Sequence, residues 1–356
     1  MERIVFVINT EYHLLVACSL ICDEYHDRSR FAVQVVEAGS ANSPRRRNIV
    51  NRSALGVVYD EWDVDSQGTA DGNGLGDRVN SLLEAPIDTL VIFLEHHPLN
   101  ILLAQQVRRK VGTVALAPDG VRPYYQLNFG ALRQLVIRFK RFFQVRSELR
   151  ALNLPHRFPY LPRNGYGEAA YVDQIWAVHP EHVKNRSGKP VRRISVLSSA
   201  KAWDTAAALF DFEPGADTGS AEKVAFYVNN LLYDEQLYDE EIKVLRHLYE
   251  VSGGRLFIKL HPQTPAVHRD RMAATGATLI ETSIPAELYI ARLRHSIVVS
   301  GWSASLTIEN PSCHFYWLTE YFRELGCMYA PIDLVNPTTY IHEARNLDDI
   351  VFPSGG

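Results

Sequence analysis

Residues 255–263 read Arg-Leu-Phe-Ile-Lys-Leu-His-Pro-Gln (RLFIKLHPQ). Four of the first six side chains are apolar, which predicts a short buried strand that stops at His261-Pro262. Proline has no amide hydrogen to give a central ladder, so the strand does not continue through Pro262. In an open α/β sheet, ligands bind outside the carboxyl ends of the strands, so a histidine delivered there is a candidate functional group.

Outward from this stretch, short apolar runs alternate with helix-length amphipathic segments. Strands are predicted at 3–8, 31–37, 89–94, 112–117, 193–198, 223–228, 255–260 and 296–300, and helices at 11–24, 99–110, 131–150, 236–251 and 285–293. Such alternation predicts parallel sheets with helices on both faces. The stretch 152–192, with Pro155, Pro159, Pro162, Pro180 and Pro190, reads as a loop-rich connection. The expected organisation is two Rossmann-like, doubly wound α/β domains facing each other across a central cleft. Their expected ranges are 1–185 and 186–330, with 331–356 as a segment returning to the first domain.

A chain of 356 residues suits two domains, and 46% hydrophobic with 22% charged residues is an ordinary globular composition. A net charge of -4 gives no global nucleic-acid signal, so an anion site must be local. Cys18, Cys22, Cys313 and Cys327 lack metal spacing and read as reduced thiols. The start, MERIVFVINTEYHLL, reads as a strand running into a helix and lacks the features of a signal peptide. No apolar window is long enough to span a bilayer. The expected location is the cytoplasm, with peripheral contact at the inner face of the cytoplasmic membrane. The loop 60–77 is rich in glycine and polar residues and reads as mobile surface. Its Asp63-Val64-Asp65 resembles an acid-x-acid metal site, but the twelfth position of a calcium loop is Gly74, so no metal site is assigned.

Three stretches place chemistry at strand ends. In VALAPDGVRP, Asp119-Gly120 follows a strand of the first half; it reads as a turn, or as a carboxylate able to take a proton from an alcohol. His261 can donate to a phosphate and titrates near neutrality, which suits a phosphate leaving group. In SIVVSGWSASLTIEN (296–310), a strand meets Ser300, Gly301, Trp302, Ser303, Ala304 and Ser305 and is then expected to enter an apolar helix. Hydroxyls, free amides and a positive helix end there read either as a cap or as a phosphate cradle. Glu287, two residues after Pro285, reads as a surface carboxylate complementing a helix end, or as an acceptor for ribose hydroxyls.

The order of these elements resembles the bacterial sialyltransferases, particularly those making sialylated lipooligosaccharide and polysialic acid. The resemblance rests on Asp119-Gly120, VAFYVNNLLYDE (224–235), FIKLHP (257–262), IPAEL (284–288), VVSGWSASL (298–306) and the opening INTEYHLLVA. It covers most of 190–310 and is thin over the first half. It implies a GT-B architecture, with a CMP-sugar held mainly by the second domain. The implied reaction is inverting, metal-independent transfer of sialic acid or a related nonulosonic acid to a glycan or glycolipid hydroxyl, in lipopolysaccharide or capsule biosynthesis. No cofactor is implied.

On the matching positions, the resemblance implies Asp119 as general base and His261 as the acid supporting the departing CMP phosphate. Ser303 and Ser305, with Ser300 and Gly301, cover the phosphate motif. Glu287 matches the ribose contact, Asn229 and Asn230 the loop beside the donor, and Lys259 and Pro262 the lysine-x-histidine-proline run. Two departures stand out. Pro118 occupies the position where the family usually has a second acidic residue, and Ala304 splits the paired hydroxyls. CMP-Kdo transferases and CDP-glycerol polymerases of the same fold are rival readings, although the polymerases usually carry aspartate at the position of Gly301. A non-catalytic CMP- or glycan-binding protein is the rival from another class.

Residues 131–150, ALRQLVIRFKRFFQVRSELR, hold six Arg or Lys against one Glu, with Leu135, Phe139, Phe142 and Phe143 interleaved. The segment reads as a core helix with solvated arginines, or as a surface for an acceptor or an anionic membrane. Nothing base-reading accompanies the charge, so no nucleic-acid partner is expected.

Overall fold

The computed structural model describes residues 1–39, 49–64, 74–127, 131–151, 165–184, 187–213, 223–230, 235–282, 284–326 and 332–352. The chain divides into two compact units, Met1–Asp211 with Pro331–Val335, and Phe212–Ala330 with Asn336–Gly356.

The first unit runs β1 (Glu2–Ile8), α1 (Glu11–Asp23), β2 (Phe31–Gly39), β3 (Val58–Asp63), α2 (Leu75–Glu84), β4 (Thr89–Ile92), α3 (Pro98–Arg109) and β5 (Thr113–Leu116). It continues with β6 (Tyr125–Leu127), α4 (Ala131–Ala151), β7 (Gln174–Ala177), β8 (Val191–Arg193) and α5 (Ala200–Leu209). Seven strands form one parallel sheet in the order β3-β2-β1-β4-β5-β7-β8. In β1, five successive residues from Ile4 to Ile8 are buried without alternation, as in a strand covered on both faces. Because β1 lies between β2 and β4, the strand order reverses there, and the carboxyl ends of β1 and β4 flank a switch point.

The second unit runs β9 (Ala225–Val228), α6 (Glu235–Val251), β10 (Leu256–Lys259), α7 (Ala266–Ala273), β11 (Thr278–Ile280), α8 (Ala286–Ile290), β12 (Ile297–Ser300), β13 (His314–Trp317) and α9 (Thr319–Glu324). Strand β14 (Ile332–Leu334) belongs to the first unit, and β15 (Ile341–Glu343) to the second. The second sheet is parallel, in the order β11-β10-β9-β12-β13-β15, and reverses between β9 and β12. Two parallel-sheet α/β domains of this kind are the GT-B class expected from the sequence.

Several sequence expectations need correction. The break between units falls after Asp211 rather than near 185. Residues 186–211 stay with the first unit because α5 is tied to it: the Leu197 amide donates to Ser19 Oγ at 3.0 Å, Ser198 Oγ to Asp23 Oδ2 at 2.7 Å, and the Val50 amide to Leu209 O at 2.9 Å. The strand predicted at 193–198 lies earlier, at Val191–Arg193, and Leu197 within the predicted range takes a left-handed φ of 52°, which a strand excludes. The stretch 152–192 is not merely a connection, because β7 and β8 complete the first sheet and Trp176 is fully buried; its Pro155, Pro159 and Pro162 lie outside the described residues. Likewise, 60–77 is not all loop: β3 runs through Asp63 and α2 begins at Leu75, while Asp65 lies outside the described residues. Of the terminal segment, only 331–335 joins the first unit, where β14 pairs antiparallel with β6. Cys18, Cys22 and Cys313 are free thiols, and Cys327 lies outside the described residues.

Candidate active site

In the first domain, β5 ends at Leu116 and Asp119-Gly120 forms the turn beyond it. Gly120 has φ +60°, a left-handed backbone that glycine adopts without a Cβ penalty, and the Arg122 amide donates to Asp119 O at 3.2 Å. The Asp119 side chain is 40% exposed, yet its Oδ1 lies 3.0 Å from Nε2 of a fully buried histidine, His13.

His13 stands just past β1, in the first turn of α1. Thr10 caps that helix by accepting the His13 amide at 3.2 Å. The imidazole stacks on Phe93, with ring centroids 4.4 Å apart and planes 12° from parallel. Its Nδ1 accepts the Asn9 amide at 3.2 Å, so the proton sits on Nε2 and is donated to Asp119. Asp119 is thus held through Oδ1 from inside the domain while its side chain stays partly exposed.

A cavity of about 360 Å³ opens beside this pair, lined by residues including Glu95, His97, Asp119, Arg122 and Tyr166. Burial pushes the Glu95 carboxyl up to about 7, opposed by the Ala169 amide and the charges of Arg122 and Lys189. His97 is lowered to about 4, chiefly by desolvation. Neither His13 nor Glu95 was singled out by the sequence reading. The available signal was position alone: both follow strands that flank the switch point.

In the second domain, β9, β10 and β12 deliver the predicted residues to one end of the sheet. Asn229 is buried and occupied at both ends: its amide nitrogen donates to Glu241 Oε1 at 2.9 Å, and its Oδ1 accepts the His261 amide at 3.2 Å. The Thr264 hydroxyl lies 2.7 Å from the same oxygen. Asn229 therefore sets the His261-Pro262 turn, with Glu241 behind it. His261 is half-buried, and its Nδ1 accepts the Gln263 amide at 3.2 Å, which leaves Nε2–H as the donor of the neutral ring. Pro262 is exposed and stands in the turn three residues past the end of β10 at Lys259.

Asn230 does the same for the serine turn. Its Oδ1 accepts the Trp302 amide at 3.2 Å and lies 2.8 Å from Ser300 Oγ, which in turn accepts the Ser303 amide at 3.2 Å. A Cβ on Gly301 would stand 2.9 Å from Asn230 Oδ1, so a larger residue there would push the Asn230 amide off its contacts with Ser300 and Trp302. Ser303 Oγ accepts the Ser305 amide at 3.2 Å, and Ser305 Oγ donates to Glu287 Oε1 at 2.8 Å.

Glu287 is buried rather than a surface carboxylate, and desolvation raises its pKa against the Ser305 hydroxyl and the charge of Lys259. Lys259 is also buried and donates to Thr282 O. The apolar helix expected after the serine turn is a single 3₁₀ turn, Ala304–Thr307. The β-branched pair Thr307-Ile308 and Pro311 shortly beyond favour termination. A helix dipole therefore contributes little at this turn; hydroxyls and individual amides are what it offers an anion.

The structure thus brings His261, Asn229, Asn230, Ser300, Gly301, Ser303, Ser305 and Glu287 to the switch-point end of the second sheet. Asp119 stands at the corresponding end of the first. Among the described residues, no group of three or more His, Cys, Asp or Glu is arranged to hold a metal ion, and no helix is long and apolar enough to cross a membrane.

This fold has solved counterparts. The 2,6-sialyltransferase of Photobacterium sp. JT-ISH-224, solved with CMP and lactose, superposes with a TM-score of 0.55 at 11% identity, over 89% of this chain and 71% of that one. A sialyltransferase from Photobacterium damsela gives a TM-score of 0.52 at 11% identity, over 89% of this chain and 74% of that one. At such identities the likeness establishes the fold alone. No curated protein matches the sequence. A family model does: that of the alpha-2,8-polysialyltransferases (POLYST) matches residues 80–312, more than half of the chain and a span that includes Asp119, His261 and the serine turn. The chain is a sialyltransferase-type enzyme and belongs to the alpha-2,8-polysialyltransferase family.

Proposed function

We propose that the enzyme transfers sialic acid, or a closely related nonulosonic acid, from a CMP-activated donor to a hydroxyl of a glycan or glycolipid, with inversion and without a metal. The observation that carries this reading is the second-domain cluster, where His261 Nε2–H and the 300–305 turn stand within a frame built by Asn229 and Asn230. Family membership supports the choice of sugar, and the CMP of the Photobacterium complex supports the choice of nucleotide.

In this mechanism Asp119 removes the proton of the acceptor hydroxyl as its oxygen bonds to the anomeric carbon. The bond from that carbon to the phosphate oxygen breaks, and its electrons leave with CMP. His261 hydrogen-bonds the departing phosphate through Nε2–H and keeps its proton, so CMP leaves as the anion, with Ser303 and the amides of the turn as further donors. Glu287, already bound to Ser305, accepts from a ribose hydroxyl. Such donors lose CMP readily through an oxocarbenium-like state, so proton transfer and positioning supply the needed stabilisation without a Lewis acid.

The test is a thermal-shift comparison of CMP, CDP and UDP together with turnover of Asp119→Asn and His261→Ala. CMP should raise the melting temperature most, by mass action on the folded state. Each substitution should lower CMP release by about 10²–10⁴-fold. A preference for UDP would sink the donor assignment, and unchanged turnover in either variant would remove that residue from its role. Activity should survive chelation; its loss would overturn the metal-free mechanism.

A further inference from the structure

We propose that the outward face of α4 docks on an anionic lipid bilayer, a partner independent of which sugar the enzyme transfers. An ordinary amphipathic helix turns its apolar stripe to the core, but α4 does the reverse. It packs beside α3, and Val145 is buried in the first-domain core. Five apolar residues point to solvent instead: Leu132 is 77% exposed, Leu135 43%, Val136 59%, Phe139 47% and Phe143 62%.

Their positions follow the i, i+3, i+4, i+7, i+11 pattern of a single helical face, an arc of about 100° at 3.6 residues per turn. Scattered exposed apolar residues are ordinary on a protein surface, whereas five aligned on one helix form a patch that favours a partner.

Charge identifies the partner. The helix carries six Arg or Lys and a single acidic residue, Glu148. Lys140, Arg146 and Arg150 are exposed beside or along the stripe. Phenyl and aliphatic groups flanked by cations match the boundary between acyl chains and lipid phosphates. A second copy of the same face would instead bring two cationic helices together, with like charges at one seam. The charges also make α4 a helix that lies on a membrane rather than one that crosses it.

The experiment is co-sedimentation of the full chain with vesicles of phosphatidylglycerol mixed with phosphatidylcholine, against phosphatidylcholine alone, at about 0.1 M salt. Wild type should bind the phosphatidylglycerol vesicles only. Phe139→Ser/Phe143→Ser and Lys140→Glu/Arg146→Glu should each weaken that binding by about tenfold or more, with melting temperatures close to wild type. The charge pair provides an independent reading should the aromatic pair fold poorly.

Three results would overturn the proposal. One is vesicle binding that is absent in wild type or equal in both variants. Another is a wild-type dimer that the Phe139→Ser/Phe143→Ser pair makes monomeric. The last is loss of binding to soluble dextran sulfate in the aromatic pair while vesicle binding stays intact, which would assign the stripe to a polyanionic glycan.

Discussion

Replacing His13 with phenylalanine isolates one link of the first-domain site. The substitution keeps the stack on Phe93 and most of the ring volume, but removes the proton that Nε2 gives to Asp119 and the acceptor that Nδ1 gives to Asn9. A hydrogen bond to a charged group contributes about 1.5–3 kcal/mol when buried. The Asp119 side chain is 40% exposed, so water replaces much of that, and the stability loss should be about 1 kcal/mol. The kinetic loss should be larger relative to its cause. A general base contributes about 10²–10⁴-fold, and a carboxylate free to rotate keeps part of this, so kcat should fall about 10–100-fold with little change in KM for the donor. His13→Gln supplies a side-chain N–H near the position of Nε2 and should recover much of the rate. Steady-state kinetics and thermal melts of the two variants provide the measurement. Equal kcat in His13→Phe and His13→Gln, or a change confined to KM, would refute the idea that His13 acts by aiming Asp119.

Further outcomes follow from the second domain. Burial pushes the Glu241 carboxyl up to about 7 against an ordinary 4.5, so between these pH values the folded protein holds a proton that the unfolded chain has lost. Stability therefore falls as pH rises across that window, by on the order of 3 kcal/mol from this group. Glu241→Gln should flatten that slope, with urea midpoints at about pH 5 and about pH 8 drawing closer together; an unchanged slope would show that Glu241 is not its source. Gly301→Ala drives a Cβ to 2.9 Å from Asn230 Oδ1 and should break the contacts to Trp302 and Ser300, costing about 1–3 kcal/mol and raising donor KM. Wild-type melting and KM in that variant would show that the 300–305 turn tolerates the displacement.

What the sequence made legible follows from how each element is buried. Strands β1, β10 and β12 are covered on both faces, so their apolar runs are nearly continuous and stand out. The edge strand β3, Val-Tyr-Asp-Glu-Trp-Asp, is mostly polar and resembles loop. The four-residue strands β7 and β13 carry their burial in Ile175, Trp176 and Ala177 and in Phe315, Tyr316 and Trp317, too short a stretch for any period to show. The second-domain turns at Asn229-Asn230, His261-Pro262 and Ser300-Gly301 were legible because each stands at or just past the end of a strand that could be read. His13 was not, because its partner lies 106 positions away and only the parallel order of β1, β4 and β5 brings the two together. Glu287 lay between two readings, and the difference is tertiary: Ser305 covers it from a turn 18 residues on.

The pairing of β6 with β14 bears on the order in which the chain acquires its structure. Every strand of the large first sheet has left the ribosome once Arg193 has emerged, but the register Tyr125 to Leu334 closes only about 200 residues after β6 is made. Until then β6 presents unpaired backbone donors and acceptors, a template for wrong partners. The first domain begins folding early and finishes almost last, so a truncation before residue 332 should burden the cell with an incompletely closed amino-terminal half as well as a shortened carboxyl-terminal one.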